Sequence, residues 1–198
     1  MAANKHQEKT EATRRKLLAA ASRVFVRDGF EAARIEDIAS ESGHTRGAFY
    51  ANFESKEDLF FALLEKHASD RLSDLRRRLE ECDGPKDRTR MFRAFYLERA
   101  TDRQSMLLML EFKLFALRHP KMRARLAAAH RRIRCSLSYE FANLLPWHEK
   151  GKELDKILCE VILAGLVLEH AYDPKRISAK ETAETLGRVF DLLIAAPS

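Results

Sequence analysis

Apolar side chains recur every third or fourth residue through almost the whole 198-residue chain, and only seven glycines and five prolines interrupt them. That spacing marks one face of an α-helix, and the strict alternation of a half-buried strand is absent. The expected fold class is all-α, with about nine helices. An apolar share of 45% allows a packed core, and a charged share of 33% suits helices with solvated outer faces. The breaks are legible too. Residues 1–10 read as a flexible arm, and a first helix follows, running to Arg27 with Leu17, Ala21, Val24 and Phe25 on one face. Gly29 supplies a left-handed stop. Asp83-Gly84-Pro85 is the clearest later break. Beyond it, helices are expected near 87–101, 103–118, 121–145, 151–172 and 178–195.

The segment from Arg34 to Lys56 has its own pattern. A short helix, Ile35 to Ser42, turns Ile38 and Ala39 inward; Gly43 makes a turn; a second short helix follows. Thr45 is placed to cap that second helix by accepting the backbone N–H of Ala48. Phe49 and Phe53, at i and i+4, point one way, and Arg46, Gly47, Tyr50, Ala51 and Asn52 occupy the other faces. A fourth helix starts after Ser55, where Ser55-Lys-Glu-Asp58 resembles a capping box. This is the layout of a helix-turn-helix, whose second helix enters the DNA major groove. Arg46 could fork onto guanine O6 and N7, and Asn52 could read adenine. Gly47 and Ala51 let the backbone come close, while Tyr50 and Lys56 suit phosphates.

Charge is consistent with that surface without demonstrating it. The net charge is +6. Residues 1–27 carry Lys5, Lys9, Arg14, Arg15, Lys16, Arg23 and Arg27 against Glu8 and Glu11. The stretch from Asp28 to Asp58 is acidic overall, so phosphate attraction there must come from a few well-aimed cations. A second basic run, Lys121 to Arg134, holds no acid. It reads as a solvated face or as a docking site for an anionic effector or acidic partner.

Leu17-Leu18-Ala19-Ala20, Phe25, Gly29, Asp37-Ile38-Ala39, Gly43, Gly47-Ala48-Phe49-Tyr50-Ala51-Asn52-Phe53 and Ser55-Lys56-Glu57-Asp58-Leu59 together resemble the TetR family of transcriptional regulators (the TetR/AcrR type). The resemblance spans roughly residues 11–71. It implies a DNA-binding domain over 11–71, an effector-binding and dimerisation domain over 72–198, and a homodimer that reads a palindromic double-stranded operator. It places Thr45, Arg46, Gly47, Tyr50, Asn52 and Lys56 at DNA-contacting positions. Two residues depart from the family pattern. Arg34 stands where a Thr or Ser usually caps the second helix; it cannot cap that way but could bind a phosphate. His44 stands where an apolar residue usually follows the turn glycine, so it either disturbs the turn packing or contacts the groove.

The resemblance also implies a small-molecule cavity among the C-terminal helices. Phe92, Phe95, Tyr96, Met106, Met109, Phe112, Tyr139 and Trp147 are the candidate lining, suited to an apolar or amphipathic effector. The same residues at helical spacing also describe plain core. Tyr96, His130, Tyr139 and His148 are candidate polar handles. The last two helices carry Val161, Ala164, Gly165, Leu168, Leu186, Val189 and Phe190, more apolar surface than a small monomer buries, and a twofold pairing is expected there.

Other classes fit less well. Cys82, Cys135 and Cys159 show no metal spacing. A di-iron bundle needs two inward Glu-x-x-His pairs, and only Glu41-Ser-Gly-His44 matches, across the turn glycine. No P-loop, GxSxG or GxGxxG occurs. No catalytic residue, metal or cofactor is expected. The alternatives are a helical-bundle metal enzyme and a non-specific architectural DNA binder. The N-terminus has no apolar signal core, and the longest apolar run, Val161 to Leu168, is too short to span a bilayer. A cytoplasmic protein without membrane contact is expected.

Overall fold

The computed structural model describes residues 2–98, 102–144 and 153–193. All regular structure among them is helical: α1 (Ala2–Asp28), α2 (Ile35–Glu41), α3 (Arg46–Tyr50), α4 (Lys56–Glu80), α5 (Pro85–Glu98), α6 (Arg103–Arg118), α7 (Pro120–Leu144), α8 (Glu153–Tyr172) and α9 (Ala179–Leu193). The all-α class and the later helices agree with the sequence reading. The N-terminus does not: α1 runs back to Ala2 through the expected arm. No glycine or proline interrupts residues 2–28, and Ala, Lys, Gln and Glu are good helix formers.

By packing, the chain forms two compact units. The first joins residues 1–69 to 107–133, so α6 from Leu107 onward and the first half of α7 pack with the N-terminal helices. Sequence alone had assigned them to the C-terminal domain. The reason is a chain of rings. Phe25, Phe30, Phe60, Phe112 and Phe115 are all buried, with centroids 4.4–5.5 Å apart along the series. Phe112 and Phe115 come from α6, and without them the other three rings would lack a lid. Aromatic pairs at such distances add about 0.5–1.5 kcal/mol each beyond their burial.

The α1–α2 loop is the junction of this unit. Gly29 has φ +80°, a region that L side chains rarely adopt. An added Cβ there would also lie 3.2 Å from Glu111 Oε2. That oxygen accepts the Phe30 N–H at 2.8 Å. Glu31 pairs with Arg118 at 2.8 Å and His119 at 2.7 Å. The His119 hydrogen bond, then Arg118, holds the Glu31 carboxyl below its ordinary range. Arg23 and Arg27 of α1 both reach Glu41, which ties α1 to the end of α2.

The second unit joins residues 70–106 to 134–198. Leu75, Leu79, Phe92, Phe95, Tyr96, Val167, Leu186 and Phe190 form its core. Arg93 crosses buried Gly187 and reaches Asp191 at 2.9 and 3.2 Å. Ser178 and Glu181 form a reciprocal capping box at the start of α9: Ser178 Oγ accepts the Glu181 N–H, and the Glu181 carboxylate accepts the Ser178 N–H.

The loop junction yields a prediction. Glu111→Ala removes the acceptor of the part-buried Phe30 N–H and should cost about 1–3 kcal/mol in urea unfolding. Glu111→Gln keeps an acceptor and should recover most of that loss. Equal destabilisation by both substitutions would show that the hydrogen bond is not what Glu111 contributes.

Candidate nucleic-acid interface

The site is built from the short segment between α2 and α4. Ile38 and Ala39 of α2 are buried. Gly43 takes φ +74°, and the chain reverses there, with Gly43 N–H bonded to Ser40 O and His44 N–H to Ala39 O. Thr45 then caps α3, its Oγ1 accepting the Ala48 N–H at 3.2 Å, the bond expected from the sequence. Thr45 is exposed, and its hydroxyl can also donate. Phe49 is fully buried and Phe53 nearly so, with ring centroids 5.8 Å apart. That burial turns the opposite side of α3 to solvent. Arg46, Gly47, Tyr50 and Ala51 are all exposed, Tyr50 at 47%.

Gly47 is informative because its own protein does not require it. Its φ is not positive, and an added Cβ would meet only Thr45 Oγ1, at an ordinary 3.7 Å. Glycine in a helix costs up to about 1 kcal/mol relative to alanine. Nothing inside the described protein therefore calls for the missing side chain at Gly47.

The cations divide into presented and retained. Arg46 stands at the start of α3 with Nη1 2.7 Å from Glu36 Oε1 and Nη2 3.4 Å from the Tyr50 hydroxyl. The Tyr50 contact and then Glu36 raise the Arg46 pKa above its ordinary value. Arg34 is exposed and makes no side-chain cap bond, as its chemistry required. Lys56 is drawn inward. Its Nζ donates to the carbonyls of Glu31 and Ala33 at 3.0 and 2.9 Å and lies 4.7 Å from the Phe30 ring centre. Burial lowers its pKa. Two of its three donors serve the α1–α2 loop.

Two expectations change. Asn52 does not present its amide to a groove. Nδ2 donates to Ala48 O at 2.8 Å, and Oδ1 is enclosed without a partner among the described residues. The side chain folds back because α3 ends at Tyr50 and leaves carbonyls to be satisfied. His44 is half-buried, and its Nε2 is likewise enclosed, so the ring packs in the turn rather than reaching outward. One contributor escaped the sequence reading. Arg14 of α1 donates to Asn52 O at 2.9 Å and lies 4.2 Å over the Phe53 ring, pinning the end of α3. Nothing in one Arg among several on a basic helix marks it for that work.

The candidate effector residues do not form one group. Phe92, Phe95 and Tyr96 are buried in the second unit, with Met106 packed against them; Phe92 and Tyr96 rest on Phe190 at 5.6 and 5.5 Å. Phe112 belongs to the core of the first unit, with Met109 packed on it. The side chain of Tyr139 and the whole of Trp147 and His148 lie outside the described residues. The candidate dimer residues divide as well. Val161, Ala164, Gly165 and Leu168 are exposed on α8, whereas Leu186 and Phe190 are fully buried in their own unit and Val189 is half-buried. Tyr172 at 85% and Leu192 at 73% exposure join the exposed apolar residues instead. In the basic run, Lys121, Arg123, Arg125, Arg131 and Arg132 are exposed. Among the described residues, no group of three His, Cys, Asp or Glu could hold a metal ion, and no helix is long and apolar enough to cross a membrane.

A short capped helix after a glycine turn, anchored by two buried rings and bare on its outer side, is the head of a helix-turn-helix transcriptional regulator. Residues 17–63 match the model of bacterial regulatory proteins of the tetR family, and residues 85–195, more than half the chain, match the C-terminal model of BetI-type transcriptional repressors. The chain belongs to the TetR family of transcriptional regulators. It is 36% identical over 77 residues to the transcriptional activator FasR of Mycolicibacterium smegmatis, covering 39% of this chain and 35% of that one. The matched stretch spans about a third of the length of the curated relatives. A TetR-family regulator from Rhodococcus sp. shares the fold with TM-score 0.72 and 19% identity, over 93% of this chain and 99% of that one. FadR of Bacillus subtilis, solved with stearoyl-CoA, shares it with TM-score 0.62 and 14% identity, over 92% and 98%.

Gly47→Ala should leave thermal stability unchanged or raise it by up to about 1 kcal/mol while weakening binding to the cognate duplex. Intact affinity in that variant would remove Gly47 from the contact surface. Arg46→Ala should cost about 1–3 kcal/mol and relax selectivity at one base position, read by titrating single-base operator variants.

Proposed function

We propose that this regulator works as a homodimeric repressor that reads a palindromic operator and is released from it by an apolar or amphipathic small molecule. The observation that carries the reading is the outward face of α3, where Arg46, Gly47, Tyr50 and Ala51 are exposed opposite buried Phe49 and Phe53. Arg46 reads a guanine edge, Tyr50, Thr45, Arg34 and the remaining donor of Lys56 hold phosphates, and Gly47 admits the backbone. Asn52 supports α3 from within.

Pairing is supported by α8. Val161, Ala164, Gly165, Leu168 and Tyr172 recur at helical spacing and are all exposed. Apart from its chain neighbours and the backbone of its own helix, no described atom lies within 4 Å of where a Gly165 Cβ would stand. A second copy would bury this stripe, with the small pair Ala164-Gly165 allowing close helix approach. Two heads so joined must place their α3 helices about 34–36 Å apart to enter successive major grooves. FadR of Bacillus subtilis carries stearoyl-CoA, an amphipathic molecule, which supports this class of effector. An effector that favours a conformer with misplaced heads lowers operator affinity by linkage, and coupling of about 1–3 kcal/mol lowers it 5- to 150-fold. The continuous helix α4 starts at Lys56 in one unit and ends at Glu80 in the other, which supports it as the lever.

Light scattering at micromolar concentration should give a dimer mass. Leu168→Glu should shift it to a monomer that keeps its helical circular dichroism. Phe190→Ala, by contrast, should cost about 3–5 kcal/mol of folding stability as a core truncation. A monomeric wild type would end the pairing claim. For release, footprints on the selected operator should fade as a bound acyl-CoA or other amphipath saturates the protein; persistence with every molecule shown to bind would leave corepression or activation.

A further inference from the structure

The contact between Glu36 and Arg46 has no evident structural purpose. Both side chains are more than half exposed, and exposed ion pairs contribute little to folding. Glu36 needs no partner to suit its place, because an acid in the first turn of α2 already complements the helix N-terminus. Asp37 occupies the same turn, yet the structure assigns the Arg46 contact to Glu36 alone of the two. The oddity is positional. An acid has been placed on the face that approaches a polyanion, beside the one cation aimed at a base edge.

The geometry around Arg46 gives that acid a use. Glu36 Oε1 holds Nη1 at 2.7 Å, the Tyr50 hydroxyl lies 3.4 Å from Nη2, and the guanidinium carbon sits 5.5 Å from the Tyr50 ring centre. An ion pair on one side and a hydrogen bond on the other restrain the group. The Tyr50 hydroxyl takes one of the five N–H donors and Glu36 engages the group as an ion pair, so at least three donors remain for a bidentate contact to guanine O6 and N7. A guanidinium without such a brace would swing to any phosphate within reach of its long stem, which adds sequence-independent affinity and no discrimination. Glu36 also repels phosphates at close range.

We infer that Glu36 is a specificity-determining positioning residue, which holds the Arg46 guanidinium against Tyr50 so that it serves a base edge and not the phosphate backbone. This rests on the assignment of Arg46 to base reading. The proposal extends the reading surface to α2 and makes operator selectivity depend on an acid that attracts no DNA.

The test compares wild type, Glu36→Gln, Asp37→Asn and Arg46→Ala. Each is titrated, by fluorescence anisotropy over a range of salt, against a duplex selected by the wild type from random sequence and against a scrambled duplex of equal length. Glu36→Gln and Asp37→Asn delete the same charge from the same helical turn. Glu36→Gln should lower the ratio of operator to scrambled affinity at least about fivefold, the low end of a bidentate base contact. Its salt slope on the scrambled duplex should steepen by about one relative to Asp37→Asn, as Arg46 gains a phosphate. Asp37→Asn should raise both affinities together and keep the ratio. Matching ratios and slopes in the two variants would overturn the inference, reducing Glu36 to a helix-terminus acid. An unchanged ratio in Arg46→Ala would instead overturn the base-reading assignment beneath it. Melting curves confirm that all four proteins are folded.

Discussion

A five-residue helix cannot hold itself in water, because forming its first turn costs more than so few hydrogen bonds return. The orientation of α3 therefore depends on the burial of Phe49 and Phe53. These rings sit in the same core as Leu17, Ala21 and Val24 of α1 and Ile38 of α2. Burying a Phe side chain is worth about 1.5–3 kcal/mol, against a fraction of that for any polar contact on the outer side. The hydrophobic term decides which face of α3 goes in, and the identity of the outward face follows. Arg14 locks the result from outside the core, crossing the Phe53 ring to reach the Asn52 carbonyl just past α3.

The same logic explains why the reading head is larger than a three-helix unit. Phe30 in the α1–α2 loop needs cover, and Phe115 of α6 supplies it at 4.4 Å. Glu111 then satisfies the Phe30 N–H, and Arg118 and His119 engage Glu31. Lys56 grips the same loop from the start of α4. A displacement of α6 would thus be felt within a few residues of the DNA-facing segment. The loop joins the head to α6, whose Phe112 and Phe115 belong to the same core.

Local chemistry made much of this legible in the sequence. The Thr45 cap, the left-handed glycines 29 and 43, and the helix ends around Pro120 and Pro174 depend on a few neighbouring residues, and they stand where those residues put them. Asp58 reaches back as a capping box suggests, though to the Glu54 N–H rather than that of Ser55. What escaped depends on partners distant in sequence. Lys56 looked like a free cation until the loop carbonyls 23 and 25 residues upstream were in view. Asn52 looked like a reader because nothing local shows where α3 ends. Leu186 and Phe190 share an apolar character with Val161 and Leu168, and periodicity alone cannot tell a stripe buried within one chain from one left for a second copy. The helical run through residues 2–10 contradicted an arm inferred from polarity, which is a weak sign against helix when no breaker is present.

The central claim is that the outer face of α3 reads base edges in the major groove, with Arg46 at a guanine. Methylation interference on the selected operator tests it directly, because dimethyl sulfate modifies guanine N7 on the major-groove side. The account predicts that one methylated guanine in each half-site blocks wild-type binding and no longer matters to Arg46→Ala, with the two positions about one helical turn apart. Interference that is absent from guanine N7, or identical in the two proteins, would contradict it.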